Sequence, residues 1–160
     1  MMNLKFQTPK DENYFFGYYD KSPLDLDNSK LLACKSAFFD RAPSESDTLD
    51  IGFFEWKISN KFIKLTQTKA WNWQQGCMLQ WLGSQYDKKI IYNDRFDGKF
   101  VTVIFDIVSK EKIFLPMAYY SASSDGDFVI CIDNERHFWF RDGYNYQGVE
   151  NTDKKTPYLE

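Results

Sequence analysis

The chain has 160 residues, a net charge of −3 and an isoelectric point near 5.2, which argues against a nucleic-acid-binding protein because these usually carry a basic surface. Aromatic residues make up 19% of the chain, a composition that favours strands and large apolar contacts between sheets. No apolar run reaches transmembrane length and the first residues contain no signal-peptide stretch, which predicts a cytoplasmic protein without membrane contact.

Four strands are predicted in the first part of the chain, because its apolar residues form short or alternating runs and show no helical periodicity. These strands cover residues 14–19, 30–36, 50–58 and 62–66. The tripeptide Ser59-Asn60-Lys61 predicts a hairpin turn between the last two strands. The polar segment 40–50 contains Pro and Ser and has no apolar period, so it is predicted to be a loop.

The same succession of strands then begins again, with predicted strands at 76–82, 89–93, 100–108 and 112–115. Asp97-Gly98 is a strong hairpin signal between the second and third of these strands. Ser109-Lys110-Glu111 matches the hairpin turn of the first unit. A third unit has predicted strands at 118–122, 128–133 and 137–140. Residues 141–160 are predicted to be a loop, and its last pair, Leu159-Glu160, resembles a cloning-derived end.

A polar turn that contains Asp precedes an apolar strand three times, with the strands entered at Lys30, Lys89 and Asp127. The second separation, 38 residues, is close to the roughly 40–45 residues of a four-stranded propeller blade. The approximate repeats are 14–66, 76–115 and an incomplete 118–140. We therefore predict an all-β fold with about two and a half four-stranded blades of a β-propeller, as a fragment of a larger protein. The alternative is a compact β-sandwich.

Two segments resemble the opening blades of a family of uncharacterised bacterial β-propeller proteins: FFGYYDKSP at 15–23 and AWNWQQGCMLQWL at 70–82. The resemblance would extend along most of the chain, including residues 91–95 and 141–146. The architecture is also distantly similar to oligogalacturonate lyase, a propeller enzyme that acts on pectin fragments. That type of lyase relies on a metal held largely by histidines, and His137 is the only histidine here, so no lyase residue is carried over.

The same two segments supply the first candidate ligand-binding residues, because each precedes an equivalent strand and lies on the inner face of the predicted propeller. Stacking aromatic rings and convergent polar groups are the usual components of a small-molecule site. The candidate stacking residues are Tyr18, Tyr19, Trp71 and Trp73, and the candidate polar residues are Asp20, Asn72, Gln74 and Gln75. The alternative is that the aromatic rings pack between blades and the amides satisfy buried backbone groups.

Two predicted loops that follow equivalent strands add three charged candidates. Asp94-Arg95 and the segment containing Arg136 each place an arginine near a carboxylate, and an arginine can bind a ligand carboxylate or phosphate through two hydrogen bonds. Asp94 and Asp133 are a candidate acid pair if they share a cleft. The alternative is that both are solvated turns with local ion pairs.

The cysteines and the histidine predict no metal site and no cofactor. Cys34, Cys77 and Cys131 are widely spaced and form no Cys-x-x-Cys pair, which indicates a reducing compartment. His137 is a candidate general base, with the alternative that it packs in a strand beside Phe138-Trp139-Phe140. Neither residue type occurs at the spacing of zinc ligands.

The function predicted from these features is binding of a saccharide or another small molecule by a propeller segment that has no catalytic residues of its own. One alternative is a carbohydrate-active lyase or hydrolase whose remaining groups lie beyond residue 160. A second alternative is a protein-interaction scaffold. No nucleic acid or membrane partner is predicted, and the edges of an unclosed set of sheets predict a homodimer.

Overall fold

The computed structural model describes residues 5–84, 86–141 and 143–149, and its secondary structure is almost entirely β. The strands are β1 (Asn13–Phe15), β2 (Leu31–Ser36), β3 (Leu49–Phe54), β4 (Phe62–Thr68), β5 (Gln80–Leu82), β6 (Lys89–Phe96), β7 (Lys99–Asp106), β8 (Lys112–Leu115), β9 (Tyr119–Ala122) and β10 (Val129–Cys131). A short helix, α1 (Asn134–Phe140), follows β10. The all-β prediction is therefore confirmed.

The strands form three antiparallel sheets whose strand order follows the chain. The first sheet is β1-β2-β3-β4, the second is β5-β6-β7-β8, and β9 with β10 forms a two-stranded hairpin. Asp97 and Gly98 turn the chain between β6 and β7, and both have positive φ, which is the backbone that a two-residue hairpin loop requires. This local signal was sufficient to predict the turn.

The segment 137–140, predicted to be a strand, belongs to helix α1, so that prediction is wrong. Asp133 is the physical reason, because its side chain accepts a hydrogen bond from the Arg136 amide at 3.0 Å and its carbonyl accepts one from the His137 amide at 3.0 Å. An aspartate that caps free amides in this way starts a helix. Within the described part of the chain, no helix has the length and apolar character needed to cross a membrane.

Several predicted strands are longer than the observed ones. The predicted strand 128–133, for example, is observed only as Val129–Cys131. The predicted strand 14–19 leaves the sheet after Phe15, and the predicted strand 76–82 pairs only from Gln80 onward. The predicted strand 50–58 ends at Phe54, because the Glu55 carbonyl accepts amide hydrogen bonds from Ile58 and Ser59 and so begins a turn. A turn thus ends this apolar run, which looks continuous in the sequence.

The main core lies between one face of the first sheet and one face of the second. It is built by alternate residues, as expected for strands whose side chains point to opposite faces. Cys34 and Ile51 belong to it from the first sheet, and Ile90, Tyr92 and Val103 belong to it from the second. All five are fully buried.

The other face of the second sheet packs against the β9–β10 hairpin. Ile91, which points away from the main core, forms a second cluster with Met78 and Tyr119. The second sheet therefore lies between the first sheet and the hairpin, and the three sheets stack in chain order. The far side of the hairpin exposes Ile130, of which 67% is accessible.

Candidate ligand-binding site

The structure brings together the two segments that the sequence marks as equivalent. After β1 the chain passes so close to the loop 72–76 that a Cβ atom on Gly17 would lie 2.6 Å from the carbonyl oxygen of Gln75. Gly76, with φ near +59°, lies on the other side of this contact. A Cβ atom on Gly76 would lie 3.2 Å from the Cα atom of Gly17. Two glycines thus allow the backbones to touch.

The side chain of Asn72 shapes this loop. The backbone of Asn72 exchanges two hydrogen bonds with Gly76, at 3.1 and 3.0 Å, and its Oδ1 accepts a third from the amide of Gln75 at 2.8 Å. Gln75 in turn donates from Nε2 to the carbonyl of Tyr144 at 2.6 Å, which joins the loop to the segment after α1. Both amides are buried, and Asn72 Nδ2 and Gln75 Oε1 have no hydrogen-bond partner among the described residues.

A group of tyrosines lies beside this loop, and we call it the tyrosine surface: Tyr18, Tyr19, Tyr120 and Tyr144. The rings of Tyr18 and Tyr19 have centroids 4.6 Å apart, and Tyr120 meets Tyr18 edge-on at 6.4 Å. Tyr19 is 87% exposed, the largest value among the exposed apolar and aromatic residues of the described chain. The ring of Tyr19 is therefore accessible to a ligand, and the ring of Tyr18 packs against it.

The hydroxyls of these tyrosines interact with one another. The Tyr120 hydroxyl raises the pKa of Tyr18, and the Tyr18 hydroxyl raises the pKa of Tyr19. Tyr144 is close enough to raise the pKa of both through its charge when ionised. Both shifts move the pKa values of Tyr18 and Tyr19 further above pH 7. The surface therefore offers phenol hydroxyls, which can donate and accept hydrogen bonds, together with aromatic faces.

An ion pair borders the tyrosine surface. The Nζ of Lys21 lies 3.0 Å from a carboxylate oxygen of Asp20, and the two side chains differ sharply in accessibility, at 6% for Lys21 and 47% for Asp20. The buried Lys21 therefore forms an ion pair with the more exposed carboxylate of Asp20. The Asp20 side chain stays partly accessible to solvent.

The two candidate tryptophans are part of the packing between sheets, as the alternative interpretation proposed. Trp71 is only 1% exposed, and its indole N–H donates to the carbonyl of Asp47 at 3.1 Å. Trp73 donates to the carbonyl of Arg41 at 2.7 Å, and its ring packs against Phe15 and Phe38. The structure thus places Trp71 in the core, and its stacking on a ligand stays a prediction. Gln74 is exposed on the loop beside them.

The charged candidates make structural contacts away from the tyrosine surface. Asp94 accepts hydrogen bonds from the hydroxyl of Thr68 at 2.9 Å and from the Lys69 amide at 3.0 Å, which attaches β6 to the end of β4. Arg95 donates to the carbonyl of Gly148 at 2.6 Å. Arg136 is exposed on α1, where its amide is capped by Asp133. The two carboxylates of the candidate acid pair thus have different partners: Asp94 joins two strands, and Asp133 caps α1.

His137 lies on α1 and not in a strand. Burial lowers its pKa, and the nearby Arg141 lowers it further, so the imidazole is neutral at pH 7. Among the described residues, no group of three or more His, Cys, Asp and Glu side chains is arranged to hold a metal ion.

A separate groove of about 520 Å³ lies on the far face of the first sheet. Tyr14 and Phe62 line it, and two ion pairs flank it, Lys35 with Glu12 and Lys64 with Asp50. Lys61 is a further charged residue of its lining. The sequence did not predict this groove, because its residues come from β1 to β4 and meet only when the first sheet forms.

Tyr120 and Tyr144 were not among the sequence candidates. A signal for Tyr120 was present, since Tyr119-Tyr120 stands before a Ser- and Asp-containing turn just as Tyr18-Tyr19 does. Comparison of this chain with protein-family models, with curated proteins and with solved structures gives no match. The resemblance to a bacterial propeller family therefore stays a prediction.

Proposed function

We propose that the three sheets are successive blades of a β-propeller. Both four-stranded sheets are antiparallel meanders in chain order, and the sheets stack face to face in the same order. Repeated four-stranded sheets of this kind are the building units of propellers. The stacking also supports the alternative of a β-sandwich for the first two sheets, but a sandwich does not account for a third layer.

Matching turns support the repeat. The amide of Asp25 donates to the carbonyl of Lys30 at 3.1 Å, and the amide of Ser123 donates to that of Phe128 at 2.9 Å, so the turns before β2 and β10 close over the same number of residues. Between the third and fourth strands, Ser59 donates to Glu55 and Lys110 donates to Asp106, both at 2.9 Å. Two different turns thus recur at equivalent places.

Within this segment, the function that the site supports best is non-catalytic binding of a neutral saccharide at the tyrosine surface. The observation that carries this proposal is the accessible ring of Tyr19, supported by Tyr18 and bordered by the exposed carboxylate of Asp20. A sugar ring presents an apolar face that stacks on an aromatic ring and hydroxyls that bond to carboxylate and phenol oxygens. The two described cations at this surface already have partners: Lys21 is paired with Asp20, and the guanidinium of Arg141 lies over the ring of Tyr144, 4.8 Å from its centroid. We therefore expect a neutral sugar to bind in preference to an acidic one.

Calorimetric titration with a panel of neutral oligosaccharides tests this proposal. We expect weak binding that Tyr19→Ala reduces by about fivefold, because an aromatic stacking contact contributes roughly 1 kcal/mol beyond the area that it buries. Chelator should leave the affinity unchanged.

Phe96→Ala is the matched control. Phe96 is exposed and pairs with Phe114 at 5.3 Å, so it resembles the Tyr18–Tyr19 pair but lies on the β6–β7 hairpin. The control should bind like the unmodified chain. Equal losses in both variants, no binding of any panel member, or turnover of the saccharide would contradict the proposal.

A second proposal concerns the β9–β10 hairpin, which we propose pairs with the hairpin of a second copy. Within the described residues, β10 is hydrogen-bonded only to β9, so one edge of β10 is open. Ile130 of β10 is also exposed.

Light scattering with size exclusion should give a dimer mass, and Ile130→Lys should give a monomer. Ile113→Lys, on the exposed β8, should leave the dimer intact. A monomeric unmodified chain would rule this pairing out.

A further inference from the structure

Two buried thiols meet where the first sheet contacts the second. Cys34 lies in β2, opposite Phe15 of β1 and Ile51 of β3. Cys77 follows Gly76 at the end of the 72–76 loop. Both cysteines are fully buried and belong to the same core cluster.

The segments that carry the two cysteines are in contact in the core. The ring of Phe15, which is paired with Cys34, lies 3.6 Å from the position of a Cβ atom on Gly76, the residue before Cys77. Burial raises the pKa of the Cys77 thiol well above its usual range, and interaction with the adjacent Cys34 thiol raises it further. Cys131 belongs to the second cluster, on the opposite face of the second sheet.

We propose that Cys34 and Cys77 form a disulfide under oxidising conditions, linking β2 to the loop that carries Asn72 and Gln75. The backbone of each cysteine is fixed by hydrogen bonds. Cys34 lies in β2, which pairs with β1 and β3, and the carbonyl of Cys77 accepts a hydrogen bond from the Asn93 amide at 2.8 Å. The link would close a chain loop of roughly 40 residues, and such a loop restricts the unfolded chain substantially. The inference is independent of the saccharide proposal.

The chemistry is thiol–disulfide exchange with a low-molecular-weight disulfide such as oxidised glutathione. The thiolate of one cysteine attacks the glutathione disulfide, forms a mixed disulfide and releases one glutathione thiolate. The second cysteine, after losing its proton to solvent, attacks the mixed disulfide and releases the second glutathione. Two protein thiols are thereby oxidised and one glutathione disulfide is reduced to two thiols. Because burial disfavours the thiolate, the exchange should be slow and should accelerate in mild denaturant.

The experiment uses the full chain with Cys131→Ser, which removes the half-buried third thiol. After incubation with oxidised glutathione in mild denaturant and return to buffer, mass spectrometry of a non-reducing digest should show the peptides of Cys34 and Cys77 joined. The thermal midpoint should rise by roughly 5–10 °C and return on reduction.

Two further variants keep this test decisive. Cys34→Ala and Cys77→Ala, each combined with Cys131→Ser, should show only a mixed disulfide with glutathione and no rise of the midpoint. If Cys34 and Cys77 of the Cys131→Ser chain each carry glutathione and stay unlinked, the proposed disulfide is wrong. A link between Cys77 and Cys131 in the chain that keeps all three cysteines would also overturn it.

Discussion

Replacement of Trp71 by alanine should lower the free energy of unfolding by about 3–5 kcal/mol, the usual cost of removing a large buried aromatic side chain. The indole is 1% exposed and packs against Trp73 and Phe38, with centroids 5.1 and 5.8 Å away. Its N–H also satisfies the carbonyl of Asp47. Urea denaturation followed by circular dichroism measures the change.

Trp71→Phe is the matched control for this substitution. It keeps most of the ring volume and loses the hydrogen bond to Asp47, so its cost should be smaller, about 1–2 kcal/mol. A Trp71→Ala variant that is as stable as the unmodified chain but no longer binds saccharide would contradict the packing role. That result would instead favour the stacking role predicted from the sequence.

Replacement of Asn93 by alanine should destabilise the chain by about 3 kcal/mol and release the β9–β10 hairpin from the second sheet. Asn93 is buried, and its side chain exchanges two hydrogen bonds with the backbone of Tyr119, at 2.8 and 2.9 Å, and donates a third to the hydroxyl of Tyr146 at 2.8 Å. Without the amide, the N–H and the carbonyl of Tyr119 lose these partners, and each buried group left unpaired costs roughly 1–3 kcal/mol.

Hydrogen exchange with mass spectrometry measures this release directly. The amides of residues 118–131 should exchange much faster in Asn93→Ala, while those of the first sheet change little. Asn60→Ala, in the exposed turn before β4, should alter neither exchange nor stability beyond about 0.5 kcal/mol. Unchanged protection of the Tyr119 amide would show that the hairpin is held by its apolar contacts alone.

The strands and turns that could be predicted from the sequence are those with local causes. Asp97-Gly98 defines its hairpin by backbone preference alone, and Lys112–Leu115 was predicted with the observed bounds because a turn precedes it and Pro116 follows it. The prediction of a strand at 137–140 was wrong because a run of four large side chains is compatible with either a strand or a helix. The deciding residue was the capping Asp133, which lies outside that run.

The sequence indicated which two segments form the candidate site, but not which of their side chains are buried and which are exposed. The segments around Tyr18 and Trp71 were recognised as equivalent, and the contact of Gly17 with Gln75 joins them in space. Which aromatic rings face the core depends on sheet packing across dozens of residues, so Trp71 and Tyr19 looked alike in the sequence. Asn93 was missed as a link between sheets for the same reason, since its partner Tyr119 comes from a later sheet.

The most direct test of the proposed binding surface is an NMR titration of the chain with ¹³C-labelled tyrosine rings against the oligosaccharide that binds best. We predict shifts for Tyr18, Tyr19, Tyr120 and Tyr144 that saturate together with the calorimetric curve. Tyr14, in the groove on the far face of the first sheet, should not respond. Shifts confined to Tyr14, or an unchanged spectrum at saturating saccharide, would contradict the assignment of the ligand to the tyrosine surface.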